Sequence, residues 1–202
     1  MFATILSFFS FVSRGNTPHT DYLKYLQNSI SFFDTFAFDD QKGCYYSEVD
    51  NEGVVISKKI HTVALSRMIY GLAYSSKYSP DHIKRAQLAT QFQLKNLIGV
   101  DSVGKYFIPT IENGVVEIED NLDIWQQAYG LCGLSELYRV TKDEGLLKTI
   151  HELHDSFIIR FRDSDHGGFF GNYSLTKGQL KGTKTLQSLI YPITAYMANL
   201  WS

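Results

Sequence analysis

Apolar residues recur at three-and-four spacing through long stretches of this 202-residue chain, the signature of helices with one buried face. One set is Ile60, Val63, Ala64, Met68, Gly71, Leu72 and Tyr74, with Arg67 among them. A second is Ile124, Ala128, Leu131, Leu134, Leu137 and Tyr138, and a third is Leu186, Leu189, Ile190, Ile193, Tyr196, Met197 and Leu200. Residues 80–97 and 143–161 carry further helical patterns. Ser79-Pro80 and Thr141-Lys-Asp143 open them, because Pro suits a first turn and Ser, Thr or Asp caps free amides. With a first helix over 21–36, the pattern predicts six main helices.

The polar breaks between these helices repeat as well. Asp40-Gln-Lys-Gly43-Cys-Tyr-Tyr46, Asp101-Ser-Val-Gly104-Lys-Tyr-Phe107 and Asp163-Ser-Asp-His-Gly167-Gly-Phe-Phe170 each set an acid before a glycine and two aromatics after it. The anchoring glycines lie 61 and 63 residues apart. A second glycine turn follows each: Asn51-Glu-Gly53, Glu112-Asn-Gly114, and Lys177-Gly178 with Gly182. Repeated helical hairpins stack so that each covers its neighbour's apolar face. The expected fold class is all-α, with β-like or irregular turns: three hairpins of a helical toroid, about half of a closed one.

Composition narrows the function classes. Charged residues make up 20% and the formal charge is −2, with no Lys/Arg cluster, so no nucleic acid partner is expected. The aromatic share is 14%, and many of these rings sit in turns, where they either line a site or pack at helix contacts. Cys44 and Cys132 form no CxxC spacing and read as unpaired thiols of a reducing compartment. Residues 2–12 are an apolar run too short to span a bilayer. The run is long enough for a signal-peptide core, yet no Lys or Arg precedes it and no A-x-A site follows. We read residues 1–20 as an apolar extension and 21–202 as one domain. The expected location is cytoplasmic with no membrane partner, and a secreted or periplasmic location stays open.

Several stretches resemble the N-acylglucosamine 2-epimerase family, which includes cellobiose 2-epimerases and mannose-type aldose–ketose isomerases. They are Asp101 with Gly104-Lys-Tyr-Phe107, Trp125-Gln-Gln127-Ala-Tyr129, Leu134-Ser-Glu-Leu-Tyr138-Arg-Val-Thr-Lys-Asp143, Asp165-His-Gly-Gly-Phe169 and Lys184-Thr-Leu-Gln187. The similarity runs over about 23–201. It implies an (α/α)6 barrel, here only its N-terminal half, with a small-molecule sugar held where the turns gather. It also implies no metal and no other cofactor. The reaction implied is removal of the C2 proton from an open-chain aldose of the N-acylglucosamine, mannose or cellobiose type. The resulting enediolate is stabilised by a cation, and the proton returns to C2 or C1.

The same resemblance names residues. Arg67 matches the family's arginine, and Trp125 the aromatic that meets a sugar ring. Gln127 is either a polar lining residue or a partner for a backbone group. In the third repeat the family's Asn, His and Glu become Gln187, Tyr191 and Thr194. Tyr191 thus takes the place of a catalytic histidine, although a phenol, ordinarily near pKa 10, is a poor base at neutral pH. Pro192 strains this helix unless it kinks. Arg67 and Tyr191 are therefore the candidate catalytic residues, and Trp125, Gln127 and Gln187 the substrate-binding ones.

Two other readings stand beside an isomerase. One is a catalytically inactive half-barrel that binds carbohydrate or a partner. The other is a glycoside hydrolase drawing an acid from Asp40, Asp101 or Asp165. His151 and His154 read as a solvated helix face, His61 as helix packing and His166 as a turn residue. The open edges of half a ring expose apolar faces, which predicts a homo-oligomer or a partner chain that completes it.

Overall fold

The computed structural model describes residues 19–202; the apolar run at 2–12 lies outside them. Seven helical segments follow in order: α1 (His19–Phe36), α2 (Thr62–Ser75), α3 (Asp81–Asn96), α4 (Ile124–Thr141), α5 (Glu144–Phe161), α6 (Leu186–Leu189) and α7 (Tyr191–Trp201). The third inner helix is thus broken. The break falls at Ile190, which puts Pro192 in the first turn of α7, where its missing N–H leaves no bond unmade.

The all-α expectation needs a correction. Among the described residues, twelve strands of two or three residues pair into five small antiparallel sheets. They form because the turn segments contain paired extended stretches whose backbone groups must bond to something once buried. The sheets also tie the repeats together. Lys59–His61, which leads into α2, pairs with Thr110–Glu112 of the second repeat. Asn121–Asp123, which leads into α4, pairs with Asn172–Ser174 of the third.

The repeated turns share one local chemistry. Oδ1 of Asp39, Asp101 and Asp163 each accepts two backbone N–H bonds from the next few residues. The capping acid of the first turn is therefore Asp39, one position before the expected Asp40. Gly104 follows at φ 134°, a value that side-chain-bearing residues rarely adopt.

Helix α4 sits in the middle of the core, with α2 on one side and α7 on the other; α3 packs on α2 and α5 on α4. The α2–α4 crossing is close because Gly133 has no side chain. A Cβ there would lie 2.4 Å from the Ser66 carbonyl oxygen. Ser66 Oγ uses the approach, donating to the Tyr129 carbonyl at 2.6 Å and accepting from the Gly133 N–H at 2.9 Å. Asp123 caps α4 through the N–H groups of Trp125 and Gln126, and Asp143 caps α5 through those of Gly145 and Leu146. No described helix is long and apolar enough to cross a membrane.

Candidate functional site

The Asp123 cap fixes the first turn of α4, so that Trp125 and Tyr129, four residues apart, share one helix face. Arg67 reaches that face from α2. Its guanidinium lies 4.4 Å from the centre of the Tyr129 ring and 5.7 Å from that of Trp125. The two rings meet edge to face at 4.9 Å, and Tyr191, at the start of α7, stands 6.2 Å from Tyr129. A cavity of about 180 Å³ opens between the three helices, lined by Arg67, Tyr70, Tyr129, Cys132, Tyr191 and Ala195. A second cavity of about 320 Å³ lies on the other side of Arg67, against Phe33 of α1 and Ala64, Leu65 and Met68 of α2.

Arg67 is exposed, not sunk in an apolar face, and has no carboxylate within 4.0 Å among the described residues. The two rings hold it by cation–π attraction and leave its N–H fork free. Burial pushes the Cys132 thiol up to about 12, and its Sγ donates to the Pro192 carbonyl at 3.4 Å. Cys132 is therefore a packed thiol, not a nucleophile. Burial, reinforced by the charge of Glu136, also raises the Tyr70 phenol, which stays a hydrogen-bond donor. Among the described lining residues the only fixed charge is that of Arg67, and none is an imidazole or a carboxylate.

Arg67, Trp125 and Tyr191 thus come together from three separate helices. Gln127 does not join them. It is buried, its Oε1 accepts from the Phe107 N–H and its Nε2 donates to the Phe107 carbonyl, both at 2.7 Å. Of its two readings, the substrate contact is corrected and the backbone partner stands: both ends of the amide are spent clamping the second turn to α4. Gln187 is exposed on α6 and lines neither cavity. Two members of the patch were missed in the sequence, Tyr129 and Tyr70. Each lies one helical turn beyond a residue that was singled out, Trp125 and Arg67, and that spacing is the signal that finds them.

The acids of the turns are occupied elsewhere. Arg160 of α5, 1% exposed, grips Asp101 with two bonds of 2.6 and 3.0 Å, and those bonds hold its carboxyl below the usual carboxylate range. Lys184 Nζ donates to Asp163 Oδ2 at 2.6 Å and lowers that carboxyl to about 2. Asp40 pairs with Arg85 at 3.0 Å, and Asp165 is exposed. None of these faces the Arg67 cavity. Asp163, Asp165 and His166 bring ligand atoms within 4.8 Å of one another, but the Lys184 ammonium already sits on Asp163. His154 departs from the solvated reading: it is half-buried, 3.2 Å from the Tyr196 hydroxyl, and burial lowers its pKa. His61 lies in the strand before α2, its ring 2.8 Å from the Thr110 hydroxyl.

No protein-family model matches the chain, and no curated protein matches it. Solved structures do. The fold is similar to that of a cellobiose 2-epimerase from Bacillus thermoamylovorans (TM-score 0.71, 16% identity, 90% of this chain and 50% of that one). It is also similar to a D-mannose isomerase (TM-score 0.67, 15% identity, 77% and 40%). An α-mannanase from Bacteroides thetaiotaomicron matches as well (TM-score 0.63, 18% identity, 90% and 48%). The chain spans about half the length of these structures or less. Three named activities on one fold establish architecture and not chemistry: the chain carries about half of an (α/α)6-barrel fold.

Proposed function

We propose that this chain is a sugar 2-epimerase- or isomerase-like protein of the N-acylglucosamine 2-epimerase type, acting on a free aldose through an enediolate. One observation carries the reading: Arg67 and Tyr191, far apart in sequence, line the same cavity of about 180 Å³. In this reading Arg67 points its free N–H fork at the C1 and C2 oxygens as charge develops on them, and Trp125 and Tyr129 fix its position. The C2–H bond breaks, the proton leaves to a base, and protonation at the opposite face of C2 or at C1 gives the epimer or the ketose. Tyr191 handles a proton on this wall of the funnel. The opposite wall of the funnel lies in the half of the fold that these residues do not carry.

The reading is tested by proton NMR in D2O with N-acetylglucosamine, mannose, glucose and cellobiose. Loss of a C2 proton signal establishes enediolate chemistry. Arg67→Met then lowers the exchange rate roughly a hundredfold or more, the scale of losing one preorganised oxyanion donor, while Tyr191→Phe separates proton handling from binding. The second reading is a binding half-barrel without catalysis. Ligand-shifted resonances with no exchange support that one and overturn the first.

A further inference from the structure

The three inner helices run side by side in the same direction. Ser66 meets Tyr129 and Ile69 meets Gly133, while Tyr129 meets Tyr191 and Cys132 meets Pro192. Residue number along each helix therefore measures depth below the turns. In the cavity of about 180 Å³, Tyr129 and Tyr191 stand at the upper end, and Arg67 reaches up to Tyr129 and Trp125. Tyr70, Cys132 and Ala195 line the lower end. One turn below them, at four-residue spacing, come Glu136 of α4 and Asn199 of α7.

This lower layer is polar where packing alone does not call for it. Glu136 is 1% exposed, and Arg139 Nε and Nη2 donate to it at 2.9 and 2.6 Å. Replacing a buried ion pair by apolar residues is often neutral or stabilising. Nδ2 of Asn199 is buried and closes no hydrogen bond. Both residues act on Tyr70: burial first and then the Glu136 charge raise its phenol, while the Asn199 amide lowers it. The opposing effect of Arg139 there is weaker than that of Glu136. The cavity thus has a guanidinium at one end and, at the other, a neutral hydroxyl backed by negative charge.

We propose that Tyr70 is the specificity-determining residue of this cavity: it bonds the C6 hydroxyl of an aldose whose C1–C2 end lies at Arg67, and Glu136 and Asn199 position it. The proposal rests on the sugar reading above and adds the orientation of the ligand. An open-chain hexose has C1 and C6 at opposite ends, so holding C1 and C2 at the one cation of the lining leaves C6 for the lower layer. The Tyr70 hydroxyl both donates and accepts, and the unspent Asn199 N–H lies beside it. A phosphate or carboxylate at C6 would lose its hydration against the Glu136 charge. The lower layer therefore admits a neutral C6 end and turns an anionic one away.

Ligand-observed NMR titrations of the 202-residue chain with mannose, 6-deoxymannose and mannose 6-phosphate test this. Mannose is expected to bind most tightly of the three. Tyr70→Phe weakens mannose roughly tenfold, the scale of one hydrogen bond, and leaves 6-deoxymannose unchanged, so that the loss belongs to the two hydroxyls and not to packing. Glu136→Gln, which leaves Arg139 unbalanced, tightens the 6-phosphate relative to mannose, again roughly tenfold. Tyr74→Phe, the same change on an exposed ring outside the cavity, moves neither affinity. A 6-phosphate that binds more tightly than mannose overturns the proposal, because the anion then sits on Arg67. So does a Tyr70→Phe loss shared equally by mannose and its 6-deoxy form, or no loss in either. Deuterium exchange at C2 alongside such a result keeps the proposed chemistry without this orientation. The expected losses in a chain that never exchanges keep the orientation and remove the chemistry, and a folded chain that binds none of the three sugars removes both.

Discussion

Helices α4 and α7 are both inner helices of the same row, yet they differ in how their surfaces are used. From Gln127 to Leu137 every residue of α4 is buried, because α2, α5 and α7 cover it and the turn at Phe107 closes its start. Helix α7 has fewer polar groups than α4, and only three of its residues are buried. Apolar composition therefore does not decide burial here; the number of neighbours does. A repeat in such an array is stable in proportion to the interfaces it makes, and among the described residues α7 makes one fewer along the inner row than α4.

The sharpest way to break this contrast is to overfill the seam. Gly133→Val places a side chain against the Ser66 carbonyl and hydroxyl. Overpacking of a rigid core costs about 3 kcal/mol in such cases, and urea unfolding reads it as a lower midpoint. Ala198→Leu on the open face of α7 is expected to shift the same midpoint by less than about 0.5 kcal/mol in a single chain. Equal costs at the two positions would dissolve the comparison.

A second pair of substitutions asks the same question of the turns. Arg160→Met leaves Asp101 without its cation, which also lies 5.3 Å from the buried Tyr106 ring and 5.0 Å from the half-buried ring of Tyr173. Losing one partner of a buried pair costs about 3–5 kcal/mol. Because Asp101 is partly exposed, about 2 kcal/mol is the expected loss on thermal unfolding. Lys184→Met, in the third turn, removes a partly exposed cation and costs less, since Asp163 keeps its backbone donors.

The smallest effect is one of pH. The Asp163 carboxyl is held at about 2 in the fold, below its ordinary 3.8, chiefly by the Lys184 bond. A depressed acid stabilises fully above its unfolded value and loses that contribution as pH falls through the folded one. The third turn therefore loosens between about pH 4 and 2, and amide exchange at Asp165 and His166 follows it. In Lys184→Met the loosening begins at higher pH; an unchanged profile would show that Lys184 does not set it.

Local chemistry was legible in the sequence and distant chemistry was not. The three turns could be read because an Asp followed shortly by Gly makes its own bonds within a few residues. The break at Ile190 followed from Pro192, whose ring forbids a continuous helix there. Arg160 could not be read, since its partner Asp101 is 59 residues away and no spacing marks the pair. Gln127 was read either as a polar lining residue or as a partner for a backbone group, because its motif stands beside Trp125. Its two bonds to Phe107, 20 residues earlier, become apparent only once the second turn folds onto α4. The meeting of Arg67 with Tyr191 was implied by a resemblance, while the cavity between them depends on the packing of three helices. The small sheets were foreseen only as β-like turns, and the pairing of two of them joins different repeats, which no local spacing marks.

The chain has two tryptophans, and they stand at different places: Trp125 against Arg67 in the candidate site, Trp201 at the tip of the open edge. Intrinsic fluorescence therefore carries two separate reports. Emission from Trp201, 94% exposed, answers to whatever covers that face of α7. Emission from Trp125 answers to whatever displaces the guanidinium. A Trp201→Phe chain leaves one lamp in the funnel, turning ligand screening into a titration that needs neither label nor assay of turnover.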